Sequence, residues 1–110
     1  MVQPVNVAIG GYQFACYPLS QARFVHGAAV YVVLCVGEGG TWRVLDAGES
    51  GATGKRMDSH ERKPDWEKHC LNKNIWVCIY PMPSNRFTPQ DRRNLESSLR
   101  QRYRPPCGQR

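Results

Sequence analysis

Nine consecutive residues, Ala28 to Val36, carry no charge, and all are small, β-branched, aromatic, Leu or Cys. A run of that kind falls well short of the roughly 20 apolar residues of a membrane span and is rich in strand formers. It therefore predicts a strand buried on both faces. Gly37-Glu38-Gly39-Gly40 separates it from a second strand-like segment, Thr41 to Ala47. Two such segments across a glycine turn predict a hairpin. Beyond the hairpin come Arg56 and His60, four residues apart and so on one face of any helix they share. That order sets a phosphate-binding cation and a proton-handling imidazole beside a sheet edge.

The rest of the chain supplies elements to cover this hairpin. Asn6 to Tyr17 alternates imperfectly and ends at Pro18, which predicts an edge strand bulged at Gly10-Gly11. Leu19 to Gly27 is a connection. A short helix is expected from Lys55 to Pro64, and Pro64 to His69 opens a further turn or two with proline at a first-turn position. Asn74 to Tyr80 reads as a strand closed by Pro81-Met82-Pro83. Thr88-Pro89-Gln90-Asp91 then combines a capping hydroxyl, a first-turn proline and an acidic residue three positions on, which predicts a helix running to about Tyr103. Leu95, Leu99 and Tyr103 give it one apolar stripe, and Pro105-Pro106 ends it. With 110 residues the chain supports one compact unit.

The five cysteines are odd in number and lack the close pairs of a zinc ribbon, which predicts a reduced, cytoplasmic protein. His69, Cys70 and Cys78 could supply three zinc ligands, but no fourth accompanies them. The N-terminus lacks a basic region followed by an apolar core, so no signal peptide is expected. A net charge of +6, with arginines crowding the last twenty residues, makes a polyanion partner plausible through phosphate contact. Lys55, Arg92, Arg93, Arg100 and Trp66 are the candidates for that contact. Trp42 and Trp76 could also stack on bases, although large aromatics in a small domain are usually core. Glu96 lies four residues from both Arg92 and Arg100 on the last helix, where surface ion pairs would form.

Taken in order, these residues resemble the GIY-YIG nuclease family over roughly Ala28 to Gly108. Ala29-Val30-Tyr31 lies where that family has Gly-Ile-Tyr, and Asp46-Ala47-Gly48 where it has Tyr-Ile-Gly. Arg56, eight residues after Gly48, then His60, then the helix with Glu96 and a proline-containing end follow the same pattern. The resemblance implies an α+β fold in which residues 28–108 form a small antiparallel three-stranded sheet flanked by helices. Residues 1–27 would add one extra N-terminal strand and a connection. It further implies a metal-dependent endonuclease acting on DNA, with no membrane partner and no small-molecule cofactor. Glu96 would ligate Mg²⁺ or Mn²⁺, Arg56 would stabilise charge on the phosphate, and Tyr31 and His60 are both candidates for activating water.

Three departures accompany the resemblance. Asp46 replaces the second-motif tyrosine, Gly108 stands near the place of a family asparagine, and Ala29 replaces a strand glycine. Asp46 would either join Glu96 in holding the metal or, without metal, repel the phosphate. The alternative functions are a binding module that has lost catalysis and a small interaction protein whose basic face meets an acidic partner.

Overall fold

The computed structural model describes residues 4–21, 27–51 and 62–108. Its strands are β1 (Val5–Ile9), β2 (Tyr12–Pro18), β3 (Ala29–Val36), β4 (Trp42–Ser50) and β5 (Ile75–Pro81). They form one sheet in the order β1-β2-β5-β3-β4, and every neighbouring pair is antiparallel. Two α-helices accompany it among the described residues, α1 (Lys63–Lys68) and α2 (Pro89–Tyr103).

The chain is α+β as expected, but its sheet has five strands, one more than the three of residues 28–108 and the single extra N-terminal strand expected. The difference lies at the N-terminus. Gly10 and Gly11 take φ of 59° and 87°, so they reverse the chain in a tight hairpin turn instead of bulging a single strand. The second arm, β2, then pairs with β5, placing Cys16 opposite Cys78. The N-terminal segment is thereby built into the sheet and does not stand beside it.

β3 lies between β5 and β4, and it is buried from Ala29 to Cys35. This explains why its sequence is uniformly apolar and does not alternate. Val30, Val32 and Leu34 join a core cluster with Leu95 and Leu99 of α2. Ala29, Tyr31, Val33 and Cys35 join a second cluster with Trp66 of α1. Each helix covers one face of the sheet.

The expected start of α2 is present, with Thr88 accepting from the Asp91 amide and Asp91 accepting from the Thr88 amide. Its end is marked by Arg104 in a left-handed conformation, φ 45°, immediately before Pro105. A residue that precedes proline is disfavoured in the helical region, which accounts for the break.

Four cysteines are paired, Cys16 with Cys78 and Cys35 with Cys70, while Cys107 is a buried thiol. This corrects the expectation of a fully reduced chain and removes the ground on which a cytoplasmic location was expected. It also takes Cys70 and Cys78 out of the zinc set. Cys35–Cys70 bolts the central strand to the turn that follows α1. No helix among the described residues is long and apolar enough to cross a membrane.

Candidate active site

A register shift in the β3–β4 ladder builds the polar centre. Val33 faces Asp46 and Leu34 faces Val44, which leaves Leu45 as an extra residue. The bulge inverts the in-and-out phase of β4 beyond Leu45, so Asp46 turns toward α1 and Ala47 toward α2. A carboxylate has thereby been delivered to the interior, where it is wholly buried.

Asp46 is stabilised there by four donors. Its Oδ1 accepts from the Ala47 amide (2.8 Å) and Arg100 Nη2 (2.8 Å), and its Oδ2 from Arg62 Nε (2.7 Å) and Trp66 Nε1 (2.8 Å). A carboxylate offers about four lone-pair directions, and all are used. Two guanidinium groups offset the desolvated charge. This is a filled acceptor, which leaves Asp46 no lone pair for the metal-ligand role expected from the sequence.

The network extends from Asp46 in both directions. Arg100 Nε also pairs with Glu96 (3.1 Å), one turn earlier on α2. Arg62 also meets the Tyr31 hydroxyl. Burial works against the Arg62 charge, but Asp46 and Tyr31 outweigh it and raise its pKa above the ordinary arginine value. A continuous polar path therefore runs Tyr31, Arg62, Asp46, Arg100, Glu96. Beside it, Arg92 Nε pairs with Glu49 Oε2 at 2.9 Å.

β4 is an edge strand, and the same residues cover its open side. Arg100 donates to the Ala47 carbonyl and, at 3.2 Å, to that of Cys107, while the Cys107 amide donates to the Leu45 carbonyl (3.0 Å). Outward backbone groups that would otherwise invite another strand are thus spent.

Two glycines set the packing of this centre. Tyr31 pairs directly across the ladder with Gly48, and a Cβ at position 48 would lie 2.3 Å from the Tyr31 hydroxyl oxygen. Only a residue without a side chain admits the phenol. At Gly108 a Cβ would lie 2.5 Å from Asp46 Oδ1 and 2.7 Å from Arg100 Nη2.

The structure thus gathers Tyr31, Asp46 and Glu96, which the sequence singled out. Arg56, His60 and Lys55 lie outside the described residues. The expected nucleic-acid contacts need correction. Trp66 is 0% exposed and cannot stack on a base, Arg92 is buried against Glu49, and Arg100 is spent on Asp46, Glu96 and two carbonyls. Arg93 alone of that set is exposed among the described residues. Trp42 and Trp76 are half-buried against the core cluster under α2. Arg62 was missed. Its signal was the four-residue spacing to Trp66, which sends both side chains to the same Asp46 oxygen.

Cys107 provides a pH test of this interior. Burial pushes its thiol from 9.0 up to about 11, Asp46 and Asp65 add to the rise, and Arg62 and Arg100 oppose it. The fold therefore favours the neutral thiol. This contribution to stability is full below pH 9.0 and is lost as pH rises toward about 11. Urea midpoints should fall more steeply across that window for the wild type than for Cys107→Ala. Parallel slopes would show that the thiol is not held neutral.

Among the described residues, no group of three or more His, Cys, Asp or Glu side chains is placed to hold a metal ion. No family model matches the chain, and no curated protein or solved structure shows significant similarity to it.

Proposed function

We propose that this protein is a divalent-metal-dependent endonuclease of the GIY-YIG type that hydrolyses DNA phosphodiester bonds. The observation that supports this reading is the polar path from Tyr31 to Glu96, which joins residues 65 positions apart that the family pattern had paired on sequence order alone. Within it Arg62 donates to the Tyr31 hydroxyl, which fixes the position of the phenol oxygen. Arg100 orients the Glu96 carboxylate in the same way.

Glu96 is the residue that would hold Mg²⁺ or Mn²⁺. One carboxylate with substrate phosphate and water is an ordinary set for Mg²⁺, and a hydrogen-bonded carboxylate suits a hard cation. When bound, such an ion would supply Lewis-acid polarisation of a phosphoryl oxygen and charge screening. Arg56 is the proposed phosphate-stabilising cation, and His60 shares with Tyr31 the candidacy for activating water. The partly exposed members, Arg62 and Arg100, give the centre its contact with solvent.

A second reading, a DNA-binding module without catalysis, is favoured by the saturation of Asp46. Where the family has a second phenol this chain has a carboxylate locked by four donors. Gly108, the other departure, lies against that same carboxylate. The two changes are therefore one local rearrangement.

Plasmid nicking with Mg²⁺ or Mn²⁺ separates the readings. The wild type should relax or linearise supercoiled DNA, and Glu96→Gln should lose this activity while keeping its circular dichroism, because Arg100 retains Asp46 and two carbonyls. Salt-dependent binding without cleavage under either metal would establish the second reading. Undiminished cleavage by Glu96→Gln would end the nuclease assignment.

A further inference from the structure

On the far flank of α2 from the polar centre, a groove of about 470 Å³ opens between the helix and the β2–β5 side of the sheet. Tyr12, Tyr80 and Phe87 line it, with Arg86 at its border and Asn94 and Ser98 along the helix wall. Tyr12 is 42% exposed although it is a large aromatic. Its ring meets Tyr80 edge-on, with centroids 5.3 Å apart, and Tyr80 is braced in turn by Phe14 at 5.5 Å. This is a supported aromatic platform, open to solvent and beside an exposed arginine.

We infer that this groove seats a short single-stranded segment of the DNA substrate, with a base stacked on Tyr12 and the adjoining phosphate at Arg86. Every base has a π-face, so exposed braced aromatics beside a cation suit single strands without regard to sequence. The exposed Arg86 supplies the cation for one phosphate, while the groove's carboxylate, Asp91, accepts from the Thr88 amide at 2.8 Å. The inference rests on the proposed function and extends it, since α2 would present the strand on one flank and the Glu96 centre on the other.

The probe is a fluorescent twelve-residue oligothymidine, measured by anisotropy in EDTA so that nothing is cut. The wild type should bind with salt-dependent affinity. Tyr12→Ala should weaken binding by about five- to a hundredfold, the scale for loss of one stacked base, while Tyr12→Phe keeps it. Arg86→Ala should reduce the magnitude of the log–log salt slope by about 0.7, one phosphate contact on a single strand. If the wild type binds and Tyr12→Ala and Arg86→Ala bind equally well, the groove is not the seat, although the nuclease reading survives. If the wild type binds neither this probe nor duplex DNA, both fall together.

Discussion

Asp46→Ala is expected to lower the unfolding free energy by about 3–5 kcal/mol, the scale for breaking a buried ion pair from one side. The substitution removes the shared acceptor of Arg62, Arg100, Trp66 and the Ala47 amide. Two like charges would then face each other with nothing between them. The Trp66 indole N–H, in a residue with no exposed surface, would lose its acceptor. Asp46→Asn is the informative control, since it keeps the shape and one acceptor oxygen but turns an NH₂ group toward donors. It should fall between the wild type and Asp46→Ala in urea unfolding. A loss below about 1 kcal/mol for Asp46→Ala would mean that the arginines find water at no cost and that the hub is dispensable.

Trp66→Ala should be comparably damaging, by about 3–5 kcal/mol, for a different reason. α1 has six residues, and Trp66 is its buried residue. An isolated helix of that length is not stable in water, so its position depends on this one side chain and on the Cys35–Cys70 bridge that follows it. Trp66→Phe should retain most of the packing and lose chiefly the bond to Asp46, at about 1 kcal/mol. Because Trp66 and Asp46 share that bond, their effects should not add. The double variant Asp46→Ala, Trp66→Phe should be more stable than the sum of the single losses predicts. Strict additivity would show that the indole N–H contributes nothing through Asp46.

Both expectations rest on residues whose roles were only partly legible in the chain. α2 could be read almost residue for residue, because capping, apolar spacing and a proline stop are local signals. The β3–β4 hairpin and β5 were legible for the same reason. The two-stranded N-terminus was not. A Gly-Gly pair permits either a bulge or a reversal, and pairing of β2 with β5, some sixty positions away, decides between them. The cysteines were misread on similar grounds, since Cys16 and Cys78 become neighbours only when those two strands meet.

For the site, the sequence alone named the residues to test, Tyr31, Glu96, Arg56 and His60, because residue type and order along the chain are local facts. What Asp46 does was decided only by the tertiary structure. From the sequence it was a possible metal ligand or a source of repulsion toward phosphate. A one-residue bulge turned it inward, and helices from opposite faces of the sheet then brought two guanidinium groups and an indole to its four lone pairs. The energy of a carboxylate depends on what surrounds it within a few ångströms, and those neighbours come from segments up to 54 residues away.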